Sequence, residues 1–371
     1  MTLLSNLKIL DFSTLLPGPF ATLLLADLGA EVLHVERPAE GKNGAVDQYL
    51  NRNKKSITLD LKQLDSIEAV KKLVTEYDIL LEQFRPEVME RLGLGYEELK
   101  KINPRLVYCS LTGFGQTGPL MDRPGHDINY LAIAGVSGYS GTISGGPANN
   151  STQIADIAGG SLHSVIGILS AVIYRERTGE GQHLDISMTD CSFTMNALSA
   201  PGYFENGVNP KTEQMILNGG TFYGHYRTKD ERYFSVGSLE PKFRQQLCKG
   251  IGREDLFELS MSSKPEHILS FKEAVREAFL SKTYEEWEKI FAGLEACIEP
   301  VLSFEEACEH PQLVSRDMIV NVPQQGGGVQ RQIGCPIKSS AFTPEYKHVG
   351  PNPGENNNEV LEKIKEIGLS N

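Results

Sequence analysis

"LKILDFSTLLPGPFATLLLADLGAEVLHVERP", Leu7 to Pro38, decides the fold. Leu7–Ser13 is a short apolar run of the kind that forms a strand buried on both faces. Pro17 and Pro19 follow in a turn, where proline pre-sets a helix start. The segment they open, Gly18–Ala30, is apolar and reads as a helix, and Glu31–Pro38 returns as a second strand. Strand, helix and strand in so short a span make a βαβ unit with parallel strands and a right-handed crossover. The turn itself, "LLPGPF", lacks the three glycines that let a backbone approach a dinucleotide pyrophosphate, so NAD is discounted.

The alternation continues outward. Leu61–Glu76 reads as a helix, Asp78–Phe84 as a strand, Pro86–Leu92 and Tyr96–Ile102 as helices, and Leu106–Leu111 as a strand. This pattern predicts an α/β fold, a Rossmann-like large domain around a parallel sheet. After the loop-rich stretch Ser137–Gln153, the residues Leu162, Val165, Ile166, Leu169, Val172 and Ile173 fall at helical spacing. Arg175 and Arg177 suit the negative end of that helix, Gly179 a left-handed stop, and His183–Met188 a further strand. Between Ser199 and Thr228 the composition turns to Gly, Asn and Pro without sustained periodicity, as a linker would. Tyr233–Ser238 then opens a smaller α/β region. It contains a helix from Pro265, a capping box at Thr283–Glu286 and a closing strand in Cys297–Phe304. Gln324–Gln330, "QQGGGVQ", reads as a hairpin turn, and "NNNEVLEKIKEIGLSN" as a terminal helix.

A formal charge of −12 opposes binding to nucleic acid, although a smaller anion can still be held where bases gather. One such gathering is "NRNKK", Asn51–Lys55, which by its charge alone reads as a solvated loop. The apolar run Val165–Ile173 is far short of the roughly 20 residues a membrane span takes, so no membrane partner is expected. The six cysteines are scattered without a CxxC pair, which suits reduced thiols in a cytoplasmic protein. No cluster of His and Cys suggests a metal, and no prosthetic group is expected.

Three ionisable residues stand among apolar or small neighbours. His126 lies in "RPGHDINYLA", Asp156 in "QIADIAGGSLHS", and Glu240 in "VGSLEPKF". Each has an ordinary structural reading: a hydrogen-bonded histidine, an N-cap, and a residue before a first helical turn. Gly159 and Gly160 weaken that reading for Asp156. Each costs a helix about 1 kcal/mol, which is easier to explain if a ligand or another backbone comes close. The amide donors of a helix beginning there also suit an anion or an enolate.

Taken together, "LEQFRPEVMERLGLG", "LVYCSLTGFGQTGP", "GHDINYLA", "ADIAGG", "RTGEGQHLDISM" and "LEPKF" resemble the class III CoA-transferase (CaiB/BaiF) superfamily. Within it they are most similar to the α-methylacyl-CoA racemase branch, over nearly the whole chain. The resemblance implies a large domain, 1–198 with a C-terminal return at 316–371, a linker at 199–228 and a small domain at 229–315. It also implies an interlocked homodimer and an acyl-CoA thioester as substrate. It gives His126 and Asp156 the role of acid/base pair and Glu240 that of the histidine's assistant. In transferase branches the aspartate is a nucleophile, and the position of His126 is often tyrosine. Arg37, Arg52, Thr58, Leu59, Glu82, Arg85, Arg91 and Gly125 fall on CoA-binding positions. Guanidinium forks fit phosphates, and a racemase needs two groups with pKa values moved toward working pH. Met188, Met195 and Met215 are candidates for an acyl channel, against simple packing. The chain departs from the branch with "LNGG" at Leu217–Gly220 and in the long loop before Asp156. A CoA-transferase, or a CoA-binding protein without catalysis, are the competing readings.

Overall fold

The computed structural model describes residues 2–38, 41 and 43–369. Two compact units emerge. The first comprises residues 1–134, 150–195 and 311–371, the second residues 135–149 and 196–310.

The first unit is an α/β fold around six strands: β1 Lys8–Asp11, β2 Glu31–Glu36, β3 Lys55–Thr58, β4 Ile79–Glu82, β5 Val107–Thr112 and β6 Gln182–Ser187. They form one sheet in the order β3-β2-β1-β4-β5-β6, with every pairing parallel. Successive side chains alternate between faces. Leu10, Leu33, Ile57 and Leu80 therefore pack on one side with Val360 and Ile364 of the terminal helix. Ile9, Val32, Ile79 and Val107 pack on the other with Leu25 and Ile168. The strand order reverses between β1 and β4, and in such sheets the crevice beyond the carboxyl ends at that point is where ligands bind.

The sequence reading missed β3. "NRNKK" is no solvated loop: Arg52 and Lys54 are 1% and 0% exposed. Arg52 pairs with Asp27, and Lys54 reaches Asp11 Oδ2 at 3.2 Å and Thr22 Oγ1 at 2.7 Å. Acidic partners remote in sequence allow these charges to be buried.

The second unit carries an antiparallel sheet, β7 Gly224–Arg227, β8 Tyr233–Val236 and β9 Ile298–Pro300. The helices Pro265–Leu280 and Tyr284–Phe291 supply Phe271, Phe279, Trp287 and Phe291 to its core, where they meet Phe234. The capping box at Thr283 is formed, with Thr283 N–H donating to Glu286 Oε2 at 2.8 Å. The expected boundaries shift. Residues 199–228 are no free linker, since they hold the helix Ala200–Asn206 and β7 of the second unit. Residues 135–149 also belong there, tied by Asn218 Nδ2 donating to Tyr139 O at 3.0 Å. The return to the first unit comes at Pro311, where β10 Ile319–Pro323 and β11 Val329–Ile333 make the expected hairpin.

Among the described residues one helix, Ala155–Thr178, is long and apolar enough to cross a membrane. It covers the first unit's sheet with Ile168, Ala171 and Val172, and its buried Arg175 pairs with Asp78 at 2.8 Å. Its other side leaves Leu162, Ile166, Ile173 and Tyr174 exposed.

Candidate active site

Pro124 and Gly125 deliver the chain to the helix Asp127–Ile133 with His126 as its extended N-terminal residue. Asn129 Oδ1 accepts the His126 N–H at 3.0 Å, which fixes the turn. One turn into the helix, Tyr130 is buried and donates its hydroxyl to Gly125 O at 2.5 Å. A Cβ at Gly113 or Gly125 would come within 2.4 or 2.7 Å of the Tyr130 ring, so both positions are held to glycine by that side chain.

Asp127 clamps the second motif to the first. Its Oδ1 accepts from Ala155 N at 2.6 Å and from Asp156 N at 3.1 Å. Asp156 lies in a π-helical turn, Ala155–Ser161, that precedes the regular helix; such turns recur at functional sites. Gly159 and Gly160 serve backbone packing. Added Cβ atoms would meet Met188 O at 3.2 Å, and Pro17 Cβ and Leu111 Cδ1 at 3.2 Å. The Ser161 hydroxyl seals the same contact by donating to Pro17 O at 2.6 Å.

His126 and Asp156 face one cavity of about 520 Å³, whose wall includes Leu15, Phe84, Tyr130 and Met188. Burial first, and then the charge of Asp127, push the Asp156 carboxyl up to about 6, with His126 acting in the opposite sense. Burial and the two aspartates push the Tyr130 phenol up to about 12, so it stays a donor. The amides at the Asp156 turn cannot serve an oxyanion, which corrects the sequence expectation: Asp127 consumes two of them, and Ile157 N–H goes to Gln153 O at 2.9 Å. A second cavity, of about 920 Å³, is walled by Phe12, Arg37, Leu59, Lys62 and again Phe84. A single aromatic side chain thus borders both.

Residues 4–357 match the profile of CoA-transferase family III. The human alpha-methylacyl-CoA racemase is 37% identical over 97% of this chain and 93% of its own length. The acetyl-CoA:oxalate CoA-transferase of Acetobacter aceti is 32% identical over 93% and 91%. A crystal structure of a CAIB/BAIF family protein from Brucella suis covers 98% of this chain and 99% of that one, with TM-score 0.83 and 28% identity. The chain belongs to CoA-transferase family III. It is an enzyme of that family, similar both to racemases and to transferases.

Of the family III residues expected around CoA, Arg37 and Leu59 face the larger cavity, and Arg85 and Gly125 the smaller. Thr58 and Arg91 line neither. Thr58 Oγ1 accepts from Asn357 at 2.9 Å, and Arg91 reaches Glu87 at 3.6 Å. Two expectations are corrected. Arg52 is buried, 1% exposed, and donates to both Asp27 carboxylate oxygens, to Gln332 at 3.2 Å and to Ile333 O at 2.6 Å, so its guanidinium is engaged inside the protein. Glu82 is 4% exposed and its carboxylate is turned to protein donors. Glu240 stands at the N-terminal boundary of the helix Pro241–Gly250 of the second unit, without a side-chain capping hydrogen bond. Of the three methionines, Met188 alone faces the smaller cavity, which Met121 also lines. Sequence reasoning missed Tyr130, Lys62 and Arg123, the last also lining the smaller cavity. The "GHDINY" motif contained the first of these, and only its rigid distance from His126 could have singled it out.

Proposed function

We propose that this protein is a 2-methylacyl-CoA racemase that moves the α-proton between His126 and Asp156. The observation that carries this reading is that an imidazole and an uncompensated aspartate near 6 share one cavity. Inversion needs one group to remove the proton while the other delivers one to the opposite face. An aspartate left at its ordinary value is a poor acid at neutral pH, and burial corrects that. The enolate oxygen needs a donor that the Asp156 turn does not supply. Asp127 N–H, at the first position of its helix, has no intrahelical acceptor and is the candidate. Arg37, Lys62 and Arg85 suit the phosphates of CoA. The exposed apolar side of the helix Ala155–Thr178 supports a second copy of the chain as a partner, and Glu240 assists His126 in the resulting homodimer.

The competing reading is a CoA-transferase, in which the Asp156 carboxylate attacks the thioester carbonyl, expels CoA thiolate and forms a mixed anhydride. The 32% identity to an oxalate CoA-transferase favours it. The histidine at position 126, where such enzymes often have tyrosine, opposes it. The test is to incubate each enantiomer of a 2-methylacyl-CoA with the protein in deuterated water and follow the α-position by NMR. A racemase exchanges the proton and brings both enantiomers to one mixture. No exchange, with CoA passing to an added carboxylate, would assign the transferase.

A further inference from the structure

Glu82 ends β4 and is buried, 4% exposed, with no salt bridge to a cation among the described residues. Its Oε2 accepts Phe84 N–H at 2.7 Å, and Ser110, its register partner on β5, sits beside it and favours its ionised form. Ser110 Oγ lies 2.9 Å from His183 Nε2 on β6. His183 is exposed at the sheet's edge and stacks on Tyr96 with ring centroids 5.5 Å apart. A chain of polar groups therefore crosses two strands from solvent to a buried carboxylate. What that carboxylate holds is the turn Gln83–Pro86, which lines the catalytic cavity, with Phe84 also walling the larger one. Gln83 ties the same turn to the first helix by accepting Gly18 N–H at 3.1 Å.

We propose that Glu82 is a positioning residue that sets the wall between the two cavities through Phe84 N–H, with Ser110 and His183 as its proton route to solvent. This rests on CoA binding in those cavities. The charged neighbours on the helix Val88–Arg91 and on β6, Glu90 and Asp185, are both negative, and Tyr108 and Cys109 on β5 are neutral. Partial desolvation of its ring holds His183 below its ordinary value, so it too is neutral at pH 7. Burial and these charges push Glu82 up to about 7, against the influence of Ser110 and of the Phe84 amide. The ionised carboxylate grips the Phe84 amide with a charge-assisted hydrogen bond. Protonation weakens that bond, and the acid proton turns toward Ser110, which then donates to His183.

The test measures CoA binding to the full-length protein by calorimetry at pH 6 and pH 8. The CoA phosphates, His126 and Asp156 contribute equally to wild type and to Glu82→Gln, so the ratio of the two Kd values isolates Glu82. The wild-type ratio should exceed that of Glu82→Gln by roughly fivefold, the difference between a charge-assisted and a neutral hydrogen bond. Equal ratios would overturn the proposal, as a merely structural Glu82 would alter thermal stability and leave the ratio alone. If Glu82→Gln does not fold, Ser110→Ala removes one group that favours the ionised form and should move the binding midpoint to higher pH, while an unmoved midpoint overturns it. Absence of CoA binding by wild type at either pH would defeat this inference together with the function it rests on, and is distinct from binding with equal ratios.

Discussion

Asp11 and Asp156 lie in the same compact unit and meet burial in opposite ways. Asp11, at the end of β1, is completely buried, and burial alone would raise its pKa. The Lys54 ammonium, His34 and the Ser13 hydroxyl together overcome this and hold it far below the ordinary carboxylate range. Asp156 has no cation of its own beyond the modest influence of His126, faces a second aspartate, and stays protonated up to about 6. The difference teaches that burial does not by itself make a working group. What separates a carboxylate held ionised from one that keeps its proton to about 6 is whether the fold supplies the counter-charge. At the turn beside β1 it does, with Lys54 also donating to Pro19 O at 3.0 Å and so fixing the entry to the first helix. At Asp156 the only opposing charge is that of His126.

The largest effect that could break this comparison is chemical. Asp156→Asn should lower α-proton exchange from one of the two enantiomers by about 10²–10⁴-fold without lowering the melting temperature. The sign follows from linkage. The folded state holds the Asp156 proton through the window from the ordinary value to about 6, so this group's contribution to stability falls as pH rises through that window. Removing its charge therefore cannot destabilise the protein at pH 8. Lys54→Met should do the reverse, costing about 3–5 kcal/mol in chemical denaturation because it strands the Asp11 charge. Asp11 contributes stability above the ordinary carboxylate range and loses it on acidification, so this cost should shrink toward pH 3. Third, exchange by wild type from the enantiomer deprotonated by Asp156 should fall tenfold per pH unit below 6 and level above it. The smallest effect sharpens the comparison. Asp127→Asn keeps an oxygen for the Ala155 and Asp156 amides but removes a negative charge, so that pH limb should move downward by roughly half a unit.

Much of the fold was legible because its signals are local. The βαβ unit, the stop at Gly179 with φ +81°, the capping box at Thr283 and the hairpin after Pro323 are each specified by residues within a few positions of one another. His126 and Asp156 were legible as a pair of polar groups in apolar settings. What remained hidden depends on partners far apart in the chain. β3 was masked by its own charges, whose burial requires Asp11 and Asp27. Arg52 reads as a phosphate ligand until Gln332, 280 positions away, is seen to take one of its donors. The glycines after Asp156 left open whether a ligand or another backbone comes close, and it is the protein itself, at Met188 and Pro17, that does.

The central claim, that His126 and the uncompensated Asp156 work on opposite faces of one carbon, is tested most directly by enantiomer-resolved exchange in deuterated water with His126→Ala and Asp156→Asn. The account predicts complementary losses, each variant failing to take the α-proton from one enantiomer and neither interconverting the two. Unchanged exchange of both enantiomers by His126→Ala would contradict it.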